Sequence, residues 1–226
     1  MARLARIVIP DIPHHVIQRG NRKQDVFFSD EDRRMYLDLL RESADKFRVT
    51  VWAWCLMTNH VHFIVVPRRE DSLSKCFGKA HTQYTRRVNL REDWQGYLWQ
   101  GRFASCPLGE QHVWRAVRYV ERNPVHAGVV KRAWDYEWSS AQFHVGARRW
   151  DPLAVDVKEL SEMVADWRAY LGQRDDEEFV KVLERDVLAG RPVGSEEFLD
   201  DLEQKTQRGL RRRLAGRPRK ANLENW

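Results

Sequence analysis

Residues 49–57, VTVWAWCLM, and 60–67, HVHFIVVP, are two apolar runs parted only by Thr58 and Asn59. A break of that length closes a β-hairpin, and both runs read as buried strands. The exceptions are two histidines at the mouth of the second strand. Side chains alternate across a strand, so His60 and His62 share one face while Val61 and Phe63 share the other. The pair is either a two-point chelate or a solvated strand end, and His-x-His alone does not choose between them.

The flanking segments supply the rest of a sheet. HHVIQR (14–19) alternates and runs into Gly20 and Asn21, which predicts a first strand ending in a turn. Ser29 can cap a helix in which Tyr36, Leu39, Leu40, Ala44 and Phe47 recur at helical spacing. After the hairpin, Leu73, Cys76, Phe77, Ala80, Tyr84 and Val88 form the apolar stripe of a second helix. YLWQGRFASC (97–106) reads as a last strand interrupted at Gly101. Strand, helix, strand, strand, helix, strand is the α+β, ferredoxin-like β-α-β-β-α-β order. It places the histidine pair on a central strand, with one face covered by helices and the other available as a working surface.

Charge narrows the partner. Residues 1–150 hold 25 Lys/Arg against 16 Asp/Glu, residues 151–190 hold 5 against 11, and residues 191–226 hold 9 against 6. A basic body and basic tail separated by an acidic stretch suit a polyanion touched in two places. Three widely spaced cysteines, Cys55, Cys76 and Cys106, suggest neither a disulfide framework nor a thiolate zinc site, which fits a reduced, cytoplasmic setting. The apolar run before Pro10 is too short for a signal peptide, and no later stretch is long enough to span a bilayer.

The segment EQHVWRAVRYVERNPVHAGVV, beginning at Glu110, carries a core-facing stripe of Val113, Ala116, Val117 and Val120. Tyr119 and Asn123 stack on a neighbouring face, one turn apart. Laid across the free sheet face, such a helix brings a phenol and an amide to the two imidazoles. Two imidazoles and an amide oxygen can hold Mg2+ or Mn2+ with positions left for phosphate oxygens, and a phenol can serve as nucleophile. Pro124 follows Asn123 directly and biases it away from helical geometry.

LMTNHVHFIVVP and RYVERNPVHAGVV, preceded by HHVIQRGNRKQDVFF and linked by LWQGRFAS, resemble the single-tyrosine HUH transposases. The similarity is greatest to the REP-associated tyrosine transposases and spans roughly residues 7–145. The resemblance implies that His60 and His62 are metal ligands, Asn123 the third ligand and Tyr119 the nucleophile. It implies a metal-dependent single-strand endonuclease and strand transferase that forms a 5'-phosphotyrosine beside hairpin or palindromic repeats. It further implies a catalytic domain over residues 1–150, acting in the cytoplasm at the nucleoid, as a monomer or a homodimer.

Basic grooves and aromatic platforms bind single strands. Candidate DNA contacts are Arg19, Arg22 and Lys23 after the first strand, Lys79, Arg86 and Arg87 on the second helix, and Arg102 beside Trp99. Residues 151–215 read as a helical accessory region, with Ser195 capping a helix that carries Phe198, Leu199 and Leu202 and a helix-turn-helix-like arrangement in prospect. GRPRK (216–220) opens a basic tail over residues 216–226 in which Arg217 and Arg219 resemble an AT-hook for A/T-rich duplex. A non-cleaving hairpin-binding regulator of the same descent is the competing reading. An RNA-binding module of the same topology is disfavoured by the lack of an RNP1-like segment, and no phosphate-binding P-loop is present.

Overall fold

The computed structural model describes residues 6–153, 155 and 164–211. The chain opens with strand β1 (His14–Arg19), helix α1 (Asp30–Phe47), strands β2 (Val49–Leu56) and β3 (His60–Pro67), helix α2 (Ser72–Glu92) and strand β4 (Ala104–Pro107). The four strands form one sheet in the order β2-β3-β1-β4, each antiparallel to its neighbours. This is the expected ferredoxin-like topology, with β3 inside the sheet.

Local chemistry explains the boundaries. Ser29 caps α1 as expected, in a reciprocal capping box: the Asp32 amide donates to Ser29 Oγ, and the Ser29 amide donates to Asp32 Oδ2, both at 3.2 Å. Asp32 also receives Arg91 from the end of α2, at 2.5 Å, which fastens the two helices together. The position after β1 must be Gly20, because a Cβ there would lie 2.1 Å from the Gln24 carbonyl oxygen where the chain turns back.

The last strand is shorter than its sequence suggests. Gly101 takes a left-handed turn at φ +65°, so ladder pairing begins only at Ala104. Trp99 touches the sheet through an isolated bridge to Gly20, and its ring is buried in the core. It therefore offers no exposed platform beside Arg102.

Each sheet face has its own core. Under α1 and α2 lie Val16, Trp54, Val61, Phe63 and Val65, packed against Tyr36, Leu40, Phe77 and Tyr84. The opposite face presents Trp52, Ala53, Cys55, Ile64, Val66 and Cys106. A register shift in β2 between Val51 and Ala53 sends Trp52 and Ala53 to this same side. Helix α3 (Glu110–His126) covers it with Val113, Ala116, Val117 and Val120, the stripe read from the sequence.

Beyond α3 come the short helices α4 (Ala141–His144) and α5 (Trp167–Gly172), then α6 (Glu177–Ala189) and α7 (Glu196–Thr206). Phe179, Leu183 and Val187 of α6 enter the α3-side core, so the sheet face beside α3 is roofed by chain from the 151–215 region. α7 is capped by Ser195 and buries Leu202 against Ile7 and Leu210. The basic tail, with Arg217 and Arg219, lies outside the described residues. No helix among the described residues is long and apolar enough to cross a membrane.

Candidate active site

β3 alternates as its sequence requires, so Val61 and Phe63 enter the helix-covered core while His62 and Ile64 face α3. His60 opens the strand opposite Arg19 of β1. α3 stays helical through Asn123 and Pro124 to His126, against the bias that Pro124 exerts on its predecessor. Near the end of a helix, the proline's missing N–H costs one hydrogen bond of the last turn, and Asn123 is held in place by contacts to both histidines. One chain thus brings His60, His62, Tyr119 and Asn123 together.

The hydrogen bonds fix which ring nitrogens face inward. The Asn59 amide nitrogen donates to the Lys23 carbonyl (3.1 Å), so its oxygen faces His60 and accepts from Nδ1 at 2.6 Å. His60 then carries its proton on Nδ1 and presents a lone pair at Nε2. That lone pair lies 3.2 Å from Asn123 Oδ1, itself an acceptor. On the other side, Asn123 Nδ2 donates to His62 Nε2 at 3.3 Å, and His62 Nδ1 donates to His15 Nε2 at 3.0 Å. His15 stacks on His62 with ring centroids 5.3 Å apart.

Protonation does not relieve the facing lone pairs. Burial, then the nearby Arg19 charge, pushes the His60 pKa down to about 4, and burial holds His62 well below the ordinary imidazole range. Two neutral imidazole nitrogens and an amide thus converge, with the His60 lone pair facing the Asn123 oxygen acceptor to acceptor and His62 Nε2 facing the Asn123 nitrogen, a side-chain set that fits a divalent cation once the amide oxygen is turned to it. Among the described residues there is no group of three or more His, Cys, Asp and Glu side chains that could hold a metal; the third polar group beside the two histidines is the Asn123 amide.

Tyr119 lies one turn before Asn123, only 3% exposed, with its ring edge-on to His62 at 5.6 Å. Its hydroxyl donates to Glu184 Oε1 of α6 at 2.8 Å. Burial and then that carboxylate push the phenol pKa up. Two clamps hold α3 in register. Asp175 takes Arg118 (3.2 Å), Arg122 (2.7 Å) and His126 (2.7 Å), and buried Glu121 takes His144 (2.6 Å) and the Ser140 hydroxyl.

His60, His62, Tyr119, Asn123 and Glu184 line a cavity of about 590 Å³ that also receives Arg19 and Arg102. A neighbouring groove of about 610 Å³ shares Gln18 and Arg102 with it and is lined by Arg86 and the exposed Tyr97. Of the other basic candidates, Lys79 is engaged by Glu42 at 2.5 Å, while Arg22, Lys23 and Arg87 are exposed and line neither space. Arg22 and Lys23 form a turn with both residues left-handed, at φ 55° and 62°. Sequence reasoning missed His15, Asn59 and Glu184. Asn59 adjoins the histidine pair and His15 sits in an alternating strand, whereas Glu184 carries no local signal.

A four-stranded antiparallel sheet roofed by a tyrosine-bearing helix is the fold of the single-tyrosine transposases. The chain belongs to the family described as "Transposase IS200 like", which matches residues 9–123, just over half of the 226 residues. Among solved structures, a REP-associated tyrosine transposase bound to a REP hairpin is similar at 21% identity and a TM-score of 0.56, covering 69% of this chain and 92% of that one. A transposase candidate from Deinococcus radiodurans R1 aligns at 20% identity over 54% of this chain and 97% of its own, with a TM-score of 0.38. No curated protein matches the chain.

Proposed function

We propose that this transposase cuts and rejoins single-stranded DNA beside palindromic repeats, through a covalent bond between a 5'-phosphate and Tyr119. The observation that carries the reading is the meeting of His60 Nε2 and His62 Nε2 at the Asn123 amide, whose Oδ1 lies 3.2 Å from the first and whose Nδ2 lies 3.3 Å from the second, beside the Tyr119 helix turn. His60, His62 and Asn123 would hold a divalent cation such as Mg2+ or Mn2+, which when bound withdraws charge from the scissile phosphate.

The chain's own groups do the rest. Tyr119 Oη attacks phosphorus, the bond to the 3' oxygen breaks, and the strand leaves with a free 3'-OH while its 5'-phosphate stays on the tyrosine. Because one phosphodiester replaces another, rejoining by a 3'-OH needs no nucleotide cofactor. Arg19 and Arg102, which line the cavity, and Arg86, in the adjoining groove, would meet the strand's phosphates, and the exposed Tyr97 would offer a face on which a base can stack. The structural relative is bound to a REP hairpin, which supports a folded palindrome as the flanking feature. Arg22, Lys23, Lys79 and Arg87 are secondary contacts, and the tail with Arg217 and Arg219 is assigned to A/T-rich duplex.

The test is incubation of end-labelled single strands carrying the palindromes beside its own gene with Mg2+ or Mn2+, comparing wild type with Tyr119→Phe. A metal-dependent covalent adduct that is absent from the variant is expected. Tight binding by both proteins with no cleavage by either, across metals and strands, would leave a hairpin-binding regulator in place of an enzyme.

A further inference from the structure

Tyr119 must lose a proton to attack, and its buried phenol faces several titratable groups. His62 Nε2 is turned toward Asn123, and His15 Nε2 accepts from His62. His126, whose ring centroid lies 5.7 Å from that of Tyr119, is engaged by Asp175. Arg19 has no lone pair to offer. Among the described residues this leaves Glu184, whose Oε1 accepts from the phenol at 2.8 Å.

We infer that Glu184 is a catalytic residue that takes the Tyr119 proton during cleavage and returns it during rejoining. The inference rests on the proposed phosphotyrosine chemistry. As Oη bonds to phosphorus, the phenolic proton passes to Glu184 Oε1. The electron pair of the broken bond leaves on the 3' oxygen, which takes a proton from water. In rejoining, a 3'-OH attacks phosphorus and gives its proton to solvent, the bond to Oη breaks, and Glu184 protonates the departing phenolate.

The fold places this carboxylate deliberately close. Leu183 and Val187 of α6 are fixed in the core shared with α3, while Glu184 and Leu188 line the cavity. Glu184 is itself exposed, so a proton that it takes from the phenol can pass on to water. α6 lies outside residues 9–123, the part matched by the family, so this group belongs to the chain's own C-terminal region.

The test measures single-turnover cleavage of the palindromic strand by wild type, Glu184→Gln and Glu184→Asp, with strand affinity and thermal melting measured in parallel. Glu184→Gln is expected to cleave and rejoin about 10²- to 10⁴-fold more slowly at near-unchanged affinity and melting temperature, with Glu184→Asp between the two. Placing 3,5-difluorotyrosine, a more acidic phenol, at position 119 is expected to restore at least about tenfold of the Gln variant's loss, since less help with the proton is then needed. Cleavage by Glu184→Gln at or above the wild-type rate, or a loss that the acidic phenol does not restore, would overturn the inference and make the contact a restraint on Tyr119. Wild-type protein that binds the strand but forms no adduct would overturn the phosphotyrosine reading itself, and the inference with it.

Discussion

Asn59 grips His60 from behind: its side-chain oxygen accepts from Nδ1 at 2.6 Å while its amide nitrogen is tied to the Lys23 carbonyl. This bond selects the His60 tautomer and ties a candidate metal ligand to the basic, left-handed turn at Arg22 and Lys23. Outer partners of this kind set ligand basicity and orientation. Asn59→Ala is expected to weaken Mn2+ binding by about 10- to 100-fold while the protein stays folded. Titration calorimetry with Mn2+ alone checks it, and unchanged affinity would show that Asn59 only shapes the turn.

Asp175 is the anchor of the tyrosine helix. Burial works against its ionisation, but hydrogen bonds from His126 and Arg122 outweigh that and hold its carboxyl below the usual range. Arg118 and Arg122 are themselves only 11% and 12% exposed at their side chains. Removing the carboxylate leaves these cations without compensation, so Asp175→Asn should cost about 3–5 kcal/mol. Urea unfolding measures it; a loss under about 1 kcal/mol would mean that the clamp is solvated.

Acid should destabilise the fold through its buried histidines. Burial pushes His14 down to about 4 and both His15 and His81 to about 3, from 6.5. His14 shows why: Nδ1 donates to the Ile12 carbonyl while Nε2 accepts from the Ile9 amide, a bond that protonation destroys. Between these folded values and 6.5 the unfolded chain binds protons that the folded chain refuses, so stability rises with pH and is lost as pH falls. At pH 5 each histidine should cost about 2 kcal/mol relative to neutral pH. Unfolding free energies at pH 7.5, 6 and 5 should fall accordingly, and less steeply for His81→Gln; a flat profile would refute the assignment.

The same buried histidines show what a sequence can and cannot disclose. Strand parity put His60 and His62 on one face, and helical spacing put Tyr119 and Asn123 one turn apart, because both periods are local. The order of six elements then fixed the sheet, and α3 had one face left to cover. His15 was harder, since alternation gives its parity but not the register that brings it beside His62. Glu184 was out of reach: it meets Tyr119 across 65 residues, through the docking of α6 that Phe179, Leu183 and Val187 drive. The end of the sheet misled for a related reason. Trp99 looks like strand, but its ring is drawn into the core and Gly101 breaks the ladder.

Position also separates basic residues that composition treats alike. Arg102 lines both the cavity and the adjoining groove, whereas Lys79, on the outer face of α2 beside Glu42 of α1, lines neither. A phosphate contact releases counterions, so losing one lowers the dependence of log affinity on log salt by about 0.7 for a single strand. Arg102→Ala is expected to show that reduced slope and weaker binding, while Lys79→Ala should keep affinity within about twofold, because Lys79 lines neither the cavity nor the groove. Fluorescence anisotropy of a labelled single strand across a salt series reads both. Equal losses from the two substitutions would mean that the strand runs over the outer face of α2 rather than through the cavity beside Tyr119.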